Sequence, residues 1–516
     1  MPFHTKKSCI GFLRKNPIQS LATRYASHSM QRVLKRSFKV RLQSSEILPN
    51  GKPTMLYIHI PFCHTLCPYC SFHKYIYDEG LARAYFKALK EELTIIKQKG
   101  FDFHTLVVGG GTTLINEDEL LKTLELCKNL FGIQEISCES DPTHIAPAQL
   151  ERFKGLITRL SCGVQSFDDE ILRKIGRYEK FGSSAQLQEK LAKAQGILPT
   201  LSIDLIFNFP NQTKEQLLRD LAIAKSLGAE QITTYPLMRS ALTRSKIQSA
   251  LGVALSDNER EFYELICAEF SGWKRNNAWG FGKIDSHKGV SEDTPQSNLS
   301  DEYVSSNHQY LGAGSGAFSF INGRLYINTF NLKDYCEAIA HRRNANMANA
   351  EFSRRDILRY VFLCELFEGR INVAEFNANM QCNLELDLAL ELAGLRLSGA
   401  ITNATNSAGD RILQCTDFGH YVCVVLMKEF YAGMDLVRAT FRDEARLGNA
   451  QKEELQSQNS VNASVSVIDI MKNAHEYAKN LANDSQAQKQ EAKHKSNTPS
   501  KKARSKDILN ATKYKK

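Results

Sequence analysis

Residues 57–72, with the sequence YIHIPFCHTLCPYCSF, place three cysteines within eight positions directly after an apolar run. The run begins at residue 55, so MLYIHI over 55–60 predicts a buried β-strand that ends just before the cysteines. The other ten cysteines are spread singly along the chain, mostly in apolar surroundings, as is typical of buried thiols. The three clustered thiols of Cys63, Cys67 and Cys70 therefore need a separate explanation.

The chain from residue 55 onward alternates between strand-like and helix-like segments. Apolar residues at helical spacing cover 80–97 and 213–228, among other segments. The predicted strands lie at 55–60, 105–110, 135–140, 158–165, 201–208 and 230–237. Six strands that alternate with helices predict an α/β fold, a parallel sheet closed or partly closed into a TIM-like (β/α)6 barrel. Chemistry in such a barrel collects at the carboxyl ends of the strands, and the cysteines follow the first of these.

Three soft thiolates on one short loop can bind a metal centre. Their spacing suits a cubane iron–sulfur cluster with three protein ligands, which leaves one iron open. A zinc site would need a fourth ligand, which His64 or His73 could supply, but the sequence has no second ligand pair like that of a zinc ribbon. We expect the cluster, and zinc or a chance grouping of thiols are the alternatives.

Four segments carry a resemblance to a known family: YIHIPFCHTLCPYC, VVGGGTT, RLSCGVQSFDDEILRKIGR and DLIFNFPNQT. They resemble the radical S-adenosylmethionine (SAM) superfamily. Within it they resemble the group of oxygen-independent coproporphyrinogen III oxidase, the related haem chaperone and the anaerobic haem-opening methyltransferases. The resemblance covers residues 53–335 approximately. It implies a radical SAM barrel with two cofactors, a 4Fe–4S cluster and SAM.

The resemblance also implies roles for individual residues. Cys63, Cys67 and Cys70 would each bind one iron, and the open iron would bind SAM, whose reductive cleavage yields a 5′-deoxyadenosyl radical. The residues expected to contact SAM or the substrate region are Tyr57, Tyr69, Gly110, Gly111, Thr112, Glu139, Gln165, Arg177 and Asp204. Each also has a purely structural alternative, such as a tight turn for the glycines.

The leading functional expectation from the resemblance is oxidative decarboxylation of tetrapyrrole propionates to vinyl groups, as in coproporphyrinogen III oxidase. The alternatives are a haem-binding chaperone and a haem-opening methyltransferase. Phe72 stands where true oxidases of the family carry a further cysteine, and LSDEYV (299–304) replaces a His-Asn and Tyr-Trp motif of the haem chaperone. The expected partners are a tetrapyrrole substrate and a low-potential electron donor such as flavodoxin or ferredoxin.

The predicted domains follow composition and pattern along the chain. They are a basic N-terminal arm (1–50), a radical SAM barrel (51–285), a linker with a Gly-rich barrel-closing segment (286–345), a mainly helical, winged-helix-like domain (346–445) and a basic disordered tail (446–516). The arm either packs on the body, as an amphipathic helix over 30–42, or is an organellar transit peptide.

The net charge of +10 lies in the two ends of the chain. Residues 1–45 hold ten Lys and Arg and no acidic residue, and residues 447–516 hold thirteen against seven. Because the C-terminal domain lacks a basic stripe, we favour a lid or partner surface for it over DNA binding and do not expect nucleic acid as a partner. No run of about 18 apolar residues predicts a membrane span. The expected location is the cytoplasm.

Two further features have open interpretations. His59 alternates with apolar strand residues, so it either points into the barrel mouth or is a hydrogen-bonded core histidine. The aromatic residues Trp273, Trp279 and Phe281 either wall a flat macrocycle or pack in the core.

Overall fold

The computed structural model of the chain describes residues 17–37, 40–51, 53, 55–240, 242–284 and 309–444. The predicted tail from residue 446 and the segment 299–304 lie outside the described residues. The strands are β1 (Met55–Ile60), β2 (Phe62–Cys63), β3 (Tyr75–Ile76), β4 (Thr105–Gly110), β5 (Glu135–Ser140), β6 (Arg159–Gln165), β7 (Thr200–Phe207), β8 (Gln231–Pro236), β9 (Lys274–Arg275), β10 (Gly280–Gly282), β11 (Tyr310–Ala313), β12 (Phe318–Ile321), β13 (Arg324–Asn328), β14 (Asn346–Glu351), β15 (Arg370–Asn372), β16 (Ile401–Thr405) and β17 (Arg411–Cys415).

The helices connect and cover these strands. They are α1 (Pro17–Ser37), α2 (Glu79–Gln98), α3 (Glu117–Phe131), α4 (Pro147–Glu151), α5 (Asp169–Lys174), α6 (Tyr178–Phe181), α7 (Ser184–Ala194), α8 (Lys214–Ser226), α9 (Arg244–Leu251), α10 (Glu259–Glu269), α11 (Leu332–Ala340), α12 (Arg354–Phe367), α13 (Val373–Met380), α14 (Leu384–Asp387), α15 (Ala389–Leu397) and α16 (Asp417–Glu444), with 3-10 turns at Pro49–Gly51 and Thr113–Ile115. No helix in the described ranges is long and apolar enough to cross a membrane.

One large sheet organises the described part of the chain. Its strand order is β14-β13-β12-β11-β1-β4-β5-β6-β7-β8-β10-β9. Every neighbouring pair from β11 to β8 is parallel, and the strands at both edges are antiparallel. The six predicted strands are β1 and β4–β8, each correct to within one residue, so the expected α/β fold with a partial barrel is confirmed. The sequence pattern missed β11, a seventh parallel strand on the free side of β1.

Helix packing explains why the first strand is buried on both faces. All six residues of β1 are buried, as expected for a parallel strand covered from both sides. Helix α2 begins at Asp78, whose side chain accepts a hydrogen bond from the Leu81 amide (2.8 Å). Its inner face buries Tyr85, Phe86 and Leu89 against the sheet. These contacts hold β1, and the loop that follows it, at the centre of the molecule.

The C-terminal part of the described chain is mainly helical, with a small antiparallel sheet of order β15-β17-β16. The predicted boundary at residue 346 precedes β14, which still pairs with β13 in the large sheet. The helices of this part therefore begin with α12. Helix α16 extends back along α1, where Ser27 and Gln31 donate to the Glu429 carboxylate (2.8 and 2.9 Å).

Two open interpretations can now be decided from packing. Trp279 is fully buried, with its ring 5.0–5.1 Å from those of Tyr235 and Phe367. Phe281 stacks on Phe270 at 4.6 Å. These aromatic residues pack in the core. The N-terminal helix spans residues 17–37, and the helix expected over 30–42 was therefore placed too late in the chain.

Candidate active site

The three clustered cysteines lie on a loop whose two ends are joined by strand pairing. We call residues 61–74, between β1 and β3, the cysteine loop. The short strands β2 and β3 pair in parallel, and the Tyr77 amide donates to the Cys63 carbonyl (3.0 Å). Within the loop the Cys70 amide faces the Cys67 carbonyl at 3.4 Å. All three cysteines are half-buried, so the loop presents their thiols at the surface of a closed turn.

The donor set of this loop suits a cluster better than a single ion. Among the described residues, no group of three or more His, Cys, Asp and Glu side chains converges where one metal ion could sit. Each thiolate of a cubane binds a different iron, so such convergence is not needed. His73 is buried and its Nε2 lies 3.2 Å from Ser315 Oγ. Burial raises the pKa of Cys63, and the nearby Cys70 thiol raises it further; a bound cluster would supply the positive charge that reverses this.

The end of β4 approaches the cysteine loop through glycines. A Cβ on Gly111 would lie 2.3 Å from the Phe62 carbonyl oxygen, so only glycine fits. Gly110 has φ +118°, and its amide donates to Glu139 Oε2 (3.2 Å) at the end of β5. Burial raises the pKa of Glu139 to about 7, against the effect of the Gly110 amide. The structure thus brings two predicted strand ends together beside the loop.

Arg177 contacts two of the other predicted residues, Tyr69 and Cys67. It is 5% exposed, and its Nη1 donates to the Tyr69 hydroxyl oxygen (2.9 Å) and lies 3.7 Å from Cys67 Sγ. Nη2 donates to the carbonyl oxygen of Gly163. Its buried Nε has no hydrogen-bond partner among the described residues. A donor without a partner at this point fits a site built for a bound molecule with acceptor atoms.

Thr112 carries a second polar connection to the loop. Its hydroxyl donates to Asp141 Oδ2 (2.9 Å) and lies 4.0 Å from Cys63 Sγ. Burial disfavours the charge on Asp141, but Lys180, 2.8 Å away, outweighs it and lowers the pKa of Asp141 to about 2. Sequence reasoning missed both residues as part of the site. Asp141 follows directly after the predicted strand at 135–140, whereas nothing in the sequence marked Lys180.

Gln165 and Asp204 lie on the neighbouring strands β6 and β7. Gln165 has φ +78° at a bulge in β6, and its side chain covers Gly163. Asp204 lies within β7 and accepts hydrogen bonds from the Ser161 hydroxyl at 2.7 Å. Burial raises the pKa of Asp204, against the effect of the nearby Arg159. A left-handed backbone at a non-glycine residue is a strained feature that clusters at functional sites.

Tyr57 lies within β1, and its hydroxyl contacts a histidine of the same strand. Its hydroxyl is 3.0 Å from His59 Nδ1. His59 Nε2 donates to the His73 carbonyl (2.8 Å), which leaves Nδ1 as the acceptor. His59 is 3% exposed, so it is a hydrogen-bonded core histidine. Its ring fills the space where Gly110 would otherwise carry a side chain.

A cavity of about 900 Å³ lies outside the barrel, between α1 and the helices of the C-terminal part. Its walls are mostly apolar and include Leu21, Phe320, Leu363 and Phe430. None of the predicted site residues lines this cavity. This cavity is therefore separate from the loop and strand ends described above.

Comparisons with known proteins identify the family of the chain. The family model of the radical SAM superfamily matches residues 57–223. The heme chaperone HemW of Bacillus subtilis (strain 168) is 31% identical over 300 residues, which are 55% of this chain and 76% of that protein. The chain belongs to the radical SAM superfamily, in its HemN and HemW group. The cofactors of this family are a 4Fe–4S cluster and SAM.

Two coproporphyrinogen III oxidases are also similar to this chain. The oxygen-independent coproporphyrinogen III oxidase of Helicobacter pylori (strain ATCC 700392 / 26695) is 33% identical over 248 residues, 45% of this chain and 53% of that protein. The solved structure of coproporphyrinogen III oxidase (HemN) from Escherichia coli aligns with a TM-score of 0.58 and 22% identity, covering 73% of this chain and 90% of that one. The latter likeness confirms the fold.

The chain's own residues suit what the radical SAM cofactors need. When bound, the cluster supplies the electron for the reductive cleavage of SAM. The cysteine loop offers three thiols, Arg177 provides a positive charge beside one of them, and the β4 glycines leave room for a ligand to approach the backbone. The buried Arg177 Nε and the half-exposed thiols are the groups that a bound cofactor would satisfy.

Proposed function

We propose that this chain is a haem-binding radical SAM protein of the chaperone type. The similarity to the B. subtilis heme chaperone, of which the chain covers 76%, supports this choice. Within the group, the residue that favours a chaperone over an oxidase is Phe72. Where the oxidases of the group would have a further cysteine, an aromatic ring lies beneath the Arg438 guanidinium, 5.4 Å away. The position offers no thiol for chemistry on a porphyrinogen.

In this proposal each thiol of the cysteine loop binds one iron, and the fourth iron is left for SAM. Tyr69 would lie near the adenine, and the amides after β4 would bind the methionyl end. Glu139, with its pKa raised to about 7 by burial, would accept a hydrogen bond from a ribose hydroxyl. Arg177 would hold Tyr69 and the Cys67 thiolate in place, because it contacts both.

Oxidative decarboxylation of coproporphyrinogen III is the second candidate. In this reaction a hydrogen atom would pass from the β-carbon of a propionate to the 5′-deoxyadenosyl radical, giving 5′-deoxyadenosine. The propionate would then lose CO2 and pass one electron to an external one-electron oxidant, leaving a vinyl group. The similarity to the H. pylori oxidase supports it. Gln165 and Arg177 support it as well. Both residues contact Gly163, and in the family that the sequence resembles, the matching residues contact a second SAM molecule or the substrate region.

Both candidates need an electron donor of low potential to reduce the cluster, and we propose a flavodoxin or a ferredoxin. Haem or another tetrapyrrole is the proposed small-molecule partner. A cytoplasmic location remains a prediction from the sequence.

The experiment is an anaerobic comparison of tetrapyrroles on the reconstituted protein. Haem binding is followed by absorbance, and in parallel the protein is incubated with SAM, dithionite and either haem or coproporphyrinogen III for product mass analysis. We expect stoichiometric haem binding with both tetrapyrroles unchanged in mass. Loss of two carboxyl groups from coproporphyrinogen III would contradict the chaperone proposal in favour of the oxidase. A methylated, ring-opened haem product would contradict both candidates.

A further inference from the structure

The last turns of α16 are enclosed where they reach the cysteine loop. All residues from 434 to 439 are buried, whereas a helix lying on a protein surface buries one stripe only. Two of the six are charged: Asp435 is 2% exposed and Arg438 is 5% exposed. A buried ion pair at the end of a long helix needs a reason, since well-packed apolar residues would be at least as stable.

Arg438 lies between two aromatic rings, one of which belongs to the cysteine loop. Its guanidinium carbon is 5.4 Å from the centre of the Phe72 ring and 5.2 Å from the centre of the Phe318 ring. Both distances fall within the range of cation–π attraction. Nη1 also donates to Asp435 Oδ1 (2.7 Å), one turn earlier on the same helix. The carboxylate thus fixes the direction in which the guanidinium points.

The Phe318 ring connects Arg438 to the cysteine loop through two further aromatic contacts. The Phe318 ring lies 6.3 Å from Phe330, and Phe330 lies 5.0 Å from the ring of His73, edge to face. Phe72 and His73 are neighbours at the end of the cysteine loop, two and three residues after Cys70. Arg438 therefore contacts the segment after the third cysteine directly at Phe72 and reaches His73 indirectly through Phe318 and Phe330.

We propose that Arg438 is a positioning residue for the cysteine loop. Through its contact with Phe72 it fixes the loop segment after Cys70 on α16. A planar guanidinium suits this task because it can lie against both rings and bind Asp435 at once, which a lysine cannot do. The proposal rests on the cluster assignment of the proposed function but not on the choice of tetrapyrrole.

The first test uses the apoprotein, so that it does not depend on the cofactors. Hydrogen exchange of residues 61–74 is compared by mass spectrometry among wild type, Arg438→Met, Arg438→Lys and Phe72→Leu. The matched control is Arg260→Met, since Arg260 lies over the Phe418 ring at 5.2 Å, away from the loop. We expect severalfold faster exchange in Arg438→Met, an intermediate rate in Arg438→Lys and no change in the control. Unchanged exchange in a folded Arg438→Met protein would overturn the proposal.

The second test uses the reconstituted cluster. In Arg438→Met we expect severalfold faster bleaching of the cluster in air and an altered EPR spectrum of the reduced cluster with SAM, both partly rescued in Arg438→Lys. The double variant with Phe72→Leu should lose no more than the larger single effect, because both changes break one contact. Fully additive effects would overturn the proposal. If wild type assembled no cluster, the proposed function would fail, while the exchange experiment would still decide the role of Arg438.

Discussion

Replacing Glu92 with glutamine should remove a pH dependence of the free energy of unfolding. Glu92 lies on α2 and is 8% exposed. Its Oε2 accepts hydrogen bonds from the Gly314 amide (2.7 Å) and the Tyr335 hydroxyl (2.6 Å), which belong to the Gly-rich segment and to α11. Burial outweighs these donors and raises the pKa of Glu92 from 4.5 to about 7.

The direction of the effect follows from proton binding. Between pH 4.5 and about 7 the folded chain keeps a proton on Glu92 that the unfolded chain has lost. The free energy of unfolding therefore falls as the pH rises through this interval and levels off above it. At about 1.4 kcal/mol per pK unit, the gap between 4.5 and about 7 corresponds to about 3 kcal/mol. Glutamine does not titrate, so this contribution disappears in the variant.

The assay is urea unfolding of the reduced apoprotein at several pH values, for wild type and Glu92→Gln. The free energy of unfolding of the variant, minus that of wild type, should rise by about 3 kcal/mol between about pH 4 and about pH 8. Glu91→Gln is the control, because Glu91 is exposed on the same helix and pairs with Arg342 at the surface. A difference between Glu92→Gln and wild type that does not change with pH would refute the reasoning.

Three further substitutions test the site. Gly111→Ala should cost about 1–3 kcal/mol of stability and weaken SAM binding measured by calorimetry, whereas Gly272→Ala, with open space around its Cβ, should do neither; equal effects would contradict the close approach. Asp141→Asn should cost about 2–3 kcal/mol in urea unfolding at neutral pH, because its half-buried partner Lys180 loses its counter-ion, and the difference from wild type should shrink as the pH falls from about 4 towards 2; a pH-independent difference would argue against the ion pair. Cys67→Ala should lose nearly all iron after reconstitution while the half-buried Cys336→Ala keeps it, and retained iron in Cys67→Ala would sink the ligand assignment.

The parallel strands could be predicted from the sequence because each buried strand is a local run of apolar residues. β1 and β4–β8 are short apolar runs between helical segments, and each lies within one residue of its expected position. The seventh parallel strand, β11, was missed because its residues YLGA carry glycine and small side chains, which suggest a loop. Its strand character comes from pairing with β1, a contact that a local pattern does not contain.

The site was predictable where a motif carried it and not where tertiary contacts did. The cysteine loop and the glycines after β4 were visible as motifs, and the structure brings them together. Lys180 was not visible, because it reaches Asp141 from the short helix α6, 39 residues along the chain. Arg438 was missed for the same reason: only the fold brings α16 to the loop. Arg177 was predicted as a site residue from the family resemblance alone. Its contacts with Cys67 and Tyr69 became visible only in the structure.

The central claim is that the cysteine loop holds a 4Fe–4S cluster with one iron left open for SAM. The most direct measurement is the EPR spectrum of the reduced, anaerobically reconstituted protein before and after addition of SAM, with iron counted on the same sample. We expect about four irons per chain and a spectrum that changes when SAM binds. A single metal ion per chain, or a cluster spectrum that SAM leaves unchanged, would contradict it.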